Sequence, residues 1–172
     1  MTHQRDRIHD YIVTHPGEHF NALTRALDLA PGQVQYHLKK LRKQGHVVEE
    51  HLYGRTHYYT PEYDTWERKA IAVLHRETAR AILFYLLEHG SSKPDPVADE
   101  LDIARSTLEW HLDHLVEQEL VEKRRDRHNR VTVVVSKPTE TIHLLHEITP
   151  SLSDRMLDRF TRLVDNLLPE WS

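Results

Sequence analysis

The chain has 172 residues, with 23 Lys and Arg against 27 Asp and Glu, giving a net charge of −4 when histidine is neutral. Its 38% hydrophobic and 29% charged content marks it as globular rather than disordered, and its length fits one domain or two small ones. The absence of cysteine excludes disulfides, thiolate metal sites and thiol redox sensing, and the mild acidity leaves any nucleic-acid partner to be argued from local charge.

The first residues, MTHQRDRIHDYI, are polar and charged, unlike a signal peptide. The longest apolar run, residues 81–87 (AILFYLL), is too short to span a bilayer, which implies a cytoplasmic protein with no membrane partner. Ile8, Tyr11, Ile12 and His15 lie on one helical face, and Pro16-Gly17 stops that helix. A second helix is predicted from Phe20 to Leu29, with Asn21 as its N-cap. Pro31 suits the first position of a third, whose buried face is Val34, Leu38 and Leu41 and whose C-terminal cap is Gly45. Residues 47–60 (VVEEHLYGRTHYYT) read as a hairpin with its tip at Tyr53-Gly54-Arg55. Three helices followed by a hairpin make a winged helix.

Residues 62–75 predict a connecting helix, and then the pattern returns. Helices are expected over 80–89, 96–101 and 105–119, and a hairpin over 121–135 with its tip near Arg127-His128-Asn129. Segment 27–47 (LDLAPGQVQYHLKKLRKQGHV) and segment 101–121 (LDIARSTLEWHLDHLVEQELV) align without a gap at an offset of 74, with eight of 21 positions identical. The same offset pairs Ile8 with Ile82, Tyr11 with Tyr85 and His15 with His89. Two copies at so long a period indicate duplicated domains rather than a solenoid. Glu119 stands where the first copy has Gly45, which predicts a different end for that helix.

Beyond the repeat, residues 138–148 suggest a helix and residues 151–168 another. In the latter, Met156, Phe160, Leu163 and Leu167 step 4, 3 and 4, a two-heptad seam. The expected organisation is a mainly α chain with small β-hairpins (α+β). Its parts are a winged helix over 1–61, a connecting helix over 62–75, a second winged helix over 76–136 and C-terminal helices over 137–172.

The segment LDLAPGQVQYHLKKLRKQGHVVEE resembles the recognition-helix segment of ArsR/MarR-type winged-helix regulators, and the whole chain looks like archaeal regulators carrying two such domains. The pattern is a turn, a polar pair, then Val34, His37-Leu38, Leu41 and Gly45-His46-Val47. The resemblance covers residues 5–60 and 79–135, but not the C-terminal helices. It implies a sequence-specific transcription regulator whose partner is double-stranded DNA and which acts as a repressor in homodimeric form. Winged-helix readers pair to read two half-sites, so the C-terminal seam is the expected dimer interface, with packing inside its own chain as the alternative. Cysteine-based metal sensing, frequent in the ArsR type, cannot be inherited here.

Charge separates the copies. Residues 1–60 carry eight basic and six acidic side chains, whereas residues 76–136 carry nine and twelve. No acid lies between Ala30 and Gln44, so Lys39, Lys40, Arg42 and Lys43 form a basic helix, while its counterpart holds Glu109, Asp113, Glu117 and Glu119. Phosphate neutralisation dominates DNA affinity, which makes the first copy the expected reader. Gln33 and Gln35 match adenine edges, Tyr36 suits a thymine methyl or a phosphate, and the lysines and Arg42 suit phosphate. Arg55 and His57 would reach out from the first hairpin, and Arg124, Arg125, Arg127 and Arg130 from the second.

Fifteen histidines invite a metal reading, with His111, His114 and Glu117 or His143, His146 and Glu147 as ligand sets. The repetition of His37 at His111 favours a structural role, so no metal or cofactor is expected, and a metal-responsive regulator is a minor variant. No nucleophile elbow, phosphate loop or HExxH pattern occurs, and no enzyme activity is expected. The rival reading is a winged-helix adaptor that binds protein. The effector is not named by any residue pattern.

Overall fold

The computed structural model describes residues 3–152 and 154–167. Two compact units divide the chain, Met1–Ala72 and Val73–Ser172.

The first unit contains α1 (His3–Thr14), α2 (Phe20–Leu27), α3 (Pro31–Lys43), β1 (Val48–Leu52), β2 (Arg55–Tyr59) and the start of α4 (Thr65–Leu74). Apolar residues at helical spacing turn inward from all three early helices. Ile8, Ile12, Leu23, Val34, Leu38 and Leu41 form a core closed by Val47 and Tyr58 from the hairpin region. The α2–α3 turn passes through Asp28 in the left-handed region, φ 52°. Asp accepts this conformation better than most residues because its short polar side chain bonds locally. The hairpin pairs Val48 with Tyr59 and Leu52 with Arg55. Tyr53 and Gly54 both have positive φ, the backbone of a two-residue type I′ turn. The other edge of β2 bonds the α1–α2 loop: Gly17 N–H to Tyr58 O at 2.9 Å and Tyr58 N–H to Glu18 O at 3.1 Å. The wing is thereby fixed on the helices.

α2 starts at Phe20 as predicted and ends two residues early, at Leu27. Asn21 is not its cap; His19 is, its Nδ1 accepting from Ala22 N–H at 3.3 Å. Arg68 of α4 bonds Glu50 of β1 at 3.3 Å, and its carbonyl accepts from the buried Tyr59 hydroxyl.

The second unit contains α5 (Glu77–His89), α6 (Pro94–Leu101), α7 (Arg105–Glu117), β3 (Val121–Arg125), β4 (Val131–Val135), α8 (Pro138–Glu147), a one-turn 3-10 helix (Thr149–Ser151) and α9 (Asp154–Leu167). α5 is its central element, burying Ala79 and all six residues from Ile82 to Leu87. The extra C-terminal helix explains this, because α9 lays Phe160 beside Phe84 with ring centroids 6.5 Å apart. α6 begins at Pro94, not Pro96, and proline at a first helical position forfeits no bonded N–H. Ser92 and Val133 exchange both backbone hydrogen bonds, repeating the edge pairing of the first wing.

The identities shared by the copies have structural causes. His15 and His89 stack on Tyr11 and Tyr85 at 4.0 and 4.1 Å, and each ring Nδ1 bonds that tyrosine's carbonyl. Asp102 repeats the left-handed turn of Asp28. The different ending predicted for α7 is not found. Glu119 adopts φ 60° where Gly45 has 76°. His46 N–H bonds Leu41 O and Leu120 N–H bonds Leu115 O, both at 2.9 Å, so both helices close in the same left-handed cap.

The C-terminal seam divides. Phe160 and Leu163 are 3% and 2% exposed in their own chain, whereas Leu167 is 41% exposed and Met156 half-buried. The middle of the predicted dimer seam is thus spent on intramolecular packing, as expected of a short helix that must bury its apolar stripe.

Candidate nucleic-acid interface

α3 sorts its residues by face. Val34, His37, Leu38 and Leu41 are buried, whereas Gln33, Gln35, Tyr36, Lys39, Arg42 and Lys43 are exposed and Lys40 is half-buried. The outward face holds no carboxylate. Lys39 and Lys43 make no ion pair among the described residues, and the Lys40 ammonium lies 5.7 Å from the centre of the Tyr36 ring. Tyr36 is 54% exposed and stands edge-on to the His37 ring at 5.2 Å. Arg42 is partly committed, reaching Glu49 of β1 at 2.5 Å. Gln33 is also engaged, its Oε1 accepting from Ala30 N–H at 3.2 Å. That bond serves the helix start and leaves the amide NH2 as its remaining donor.

Between α2, α3 and the wing lies a cleft of about 370 Å³, whose lining includes His19, Asn21, Gln35, Gly54, Arg55 and Thr56. Gln35 and Arg55, predicted from separate elements, therefore face one space. Asn21 and Thr56 join them and were missed, Asn21 because it read as a cap. His57 does not belong to the exposed site. It is 1% exposed, and its Nδ1 lies 2.7 Å from Gly17 O, because strand alternation turns it inward. The prediction that His57 contacts DNA is therefore corrected.

His37 lies under the site. Burial, and secondarily the Arg5 guanidinium, push its pKa below the ordinary 6.5, and Arg5 Nε donates to its Nδ1 at 3.4 Å. A neutral His37 is thus built into the support of α3.

The second copy arranges its charges differently. Glu109 of α7 binds Arg105 at 3.1 Å and Lys123 of β3 at 2.8 Å, and these hydrogen bonds hold its carboxyl below the usual range. Lys123 also approaches Asp113 at 3.8 Å. In the wing, Arg124 pairs with Glu122 at 2.6 Å and Arg130 with Asp126 at 2.9 Å, while Arg125 bonds Asn129. Arg127 makes no ion pair among the described residues, so half of the four predicted wing arginines are already neutralised. Trp110, at the repeat position of Tyr36, is 51% exposed and packs edge-on to His111 and His114 at 4.8 and 4.2 Å. The 74-residue offset alone makes it the counterpart of Tyr36.

Among the described residues, no group of three or more His, Asp or Glu is placed to hold a metal ion. Likewise, no described helix is long and apolar enough to cross a membrane.

Residues 2–71 match the family described as an N-terminal HTH domain, and residues 75–122 match the family described as winged helix-turn-helix DNA-binding. The chain carries two helix-turn-helix domains. The first HTH domain includes the basic α3, and the second includes α7. Over 139 residues the tandem-HTH chain is 24% identical to a Methanocaldococcus jannaschii protein described as an uncharacterized HTH-type transcriptional regulator, covering 81% of this chain. It spans 35% of that relative's length. Among solved structures, reduced AbfR bound to DNA aligns with TM-score 0.42 and 11% identity, covering 81% of this chain and 92% of its own. A zinc-responsive MarR family member from Lactococcus lactis, ZitR, aligns with TM-score 0.34 and 15% identity, covering 82% and 96% respectively.

Proposed function

We propose that this tandem-HTH chain is a sequence-specific DNA-binding transcription regulator, a repressor acting as a homodimer, whose first domain reads DNA through α3. The observation that carries the reading is the carboxylate-free outward face of α3, with Gln35 and Tyr36 flanked by Lys39 and Lys43. Glutamine amides match the donor-acceptor pair of an adenine edge, and ammonium groups match phosphate. Arg55 across the cleft supplies a second grip on the backbone. The wing of the second domain contributes Arg125 and Arg127, with Arg124 and Arg130 largely occupied.

Duplex binding measured against salt tests the reading. The wild type binds duplex and loses affinity steeply with salt, and Lys39→Ala or Lys43→Ala each flattens the log-log slope by about 1. Failure to bind a genomic duplex pool at low salt rejects it. The adaptor reading has its own support in Trp110 and Val116, exposed by 51% and 39% on α7. In that case the second domain docks protein while the first is a passive fold.

A further inference from the structure

α5, α6 and α9 bound a recess of about 730 Å³ whose lining includes Arg155, Arg159, Arg162, Glu88, Glu100 and Leu163. This volume lies in the range of small-molecule sites, roughly 300–1,000 Å³. The three arginines step 4 and 3 along α9, which sets them on one helical face. Like charges at that spacing repel and weaken an isolated helix. One of them is accounted for: Arg159 Nε donates to Glu88 Oε1 at 2.8 Å, and its guanidinium lies 5.1 Å from the centre of the Phe84 ring. Arg155 and Arg162 are exposed and make no ion pair among the described residues.

We propose that this recess binds a small anionic metabolite, a molecule bearing phosphate or carboxylate groups together with a hydroxyl or amine. Arg155 and Arg162 take the anionic groups, because a planar guanidinium matches either oxyanion with two parallel hydrogen bonds. Arg159, held in place by Glu88 and Phe84, fixes the floor between them. The Glu100 carboxylate on the facing helix α6 accepts from the ligand's hydroxyl or amine, and it disfavours a bare polyanion. Leu101 and Leu163 give the ligand's carbon frame an apolar surface. A duplex phosphate track is the poorer fit, since two carboxylates line the recess. The site stands whether or not α3 reads DNA, because every residue in it belongs to the second unit.

The test is calorimetric titration of the full chain with inorganic phosphate, citrate, phosphoserine and a sugar phosphate. At least one probe binds saturably at millimolar concentration or below, the hydroxylated or amino-bearing probes more tightly than inorganic phosphate. The Arg155→Gln/Arg162→Gln variant weakens binding at least about ten-fold, as expected from losing charge-assisted hydrogen bonds. Arg25→Gln, at an exposed arginine of α2 outside the recess, leaves binding unchanged. Glu100→Gln narrows the gap between inorganic phosphate and the other probes. Circular dichroism confirms that the variants are folded, and Arg155→Lys/Arg162→Lys, which retains charge without the bidentate fork, gives an intermediate loss. The proposal is overturned if no probe binds saturably, if binding survives the double glutamine variant, or if Arg25→Gln abolishes it equally. It is also overturned if the double glutamine variant loses duplex affinity while no small anion binds, which would assign the arginines to nucleic acid.

Discussion

Single residues carry the differences between two copies of one fold. Gly45 and Glu119 close equivalent helices in the same left-handed backbone, but Glu119 suffers a Cβ clash that glycine lacks. Glu119→Gly is expected to stabilise the second unit by about 0.5–1 kcal/mol, since the relieved strain outweighs the added freedom of the unfolded chain. Thermal unfolding should register this as a rise in Tm of roughly 1–4 °C, and Glu119→Ala, which keeps a Cβ, should show none. Histidines at the other repeated position give a pH dependence. Burial is the main cause lowering the pKa of both His37 and His111, with Arg5 contributing to the first and His114, then Arg76, to the second. Below the ordinary 6.5 the unfolded chain holds a proton on each that the folded chain refuses, so stability rises with pH through this window. Unfolding free energy is therefore full above pH 6.5 and falls as pH drops below it. Chemical denaturation between pH 7 and 5 checks this, and NMR titration should place both imidazoles below their unfolded midpoint.

At the level of elements, α3 and α7 share an inward face and differ in what they present outward. Tyr36 and Trp110 occupy the same repeat position with nearly equal exposure, 54% and 51%. Around Tyr36 stand uncommitted lysines; around Trp110 stand Glu109, Asp113 and Glu117. Tyr36→Ala is expected to weaken specific duplex binding by about ten-fold, or 1.4 kcal/mol, while Trp110→Ala changes it less than two-fold. Equal losses in the two variants would mean that both helices touch DNA. The elements themselves were legible in the sequence because their apolar periods are strong: Val34, Leu38 and Leu41 in one copy, Leu108, Leu112 and Leu115 in the other. Less legible was which polar groups are already spent. Gln33 bonds a helix start, Arg42 bonds Glu49, Arg130 bonds Asp126, and His57 turns inward with the strand. Such pairings are set by tertiary distance, so a basic run in the sequence overstates the charge available to a phosphate. The seam on α9 misled for a related reason. A heptad step shows that one face is apolar, and α5 supplies the cover within the same chain for Phe160.

For the whole molecule, the relevant quantity is how much positive charge one chain can bring to a duplex despite a net charge of −4. In the first unit Lys39, Lys40, Lys43 and Arg55 are outward-facing or half-buried and unpaired by carboxylates among the described residues, while Arg42 already has Glu49. At about 0.9 released counterions per neutralised phosphate, four contacts give a log-log salt slope near −3.6, and two chains reading two half-sites give about −7. Wing contacts from Arg125 and Arg127 would add nearly 2 more per chain. The slope thus separates a single reading head from a pair without any knowledge of the operator. A homodimeric reader predicts a slope of about −7 or steeper, together with a bound species whose mass in sedimentation corresponds to two chains on one duplex. A slope near −3.6 with one chain per duplex would reject the dimer and leave α3 as a lone reader. Because the second unit is acidic, replacing Asp113 and Glu117 by their amides should raise non-specific duplex affinity most at low salt and make it fall more steeply with salt, since screening within a Debye length of about 8–10 Å already relieves the repulsion in the wild type. The same pair of substitutions should leave the slope of specific binding unchanged if α7 stays clear of the duplex.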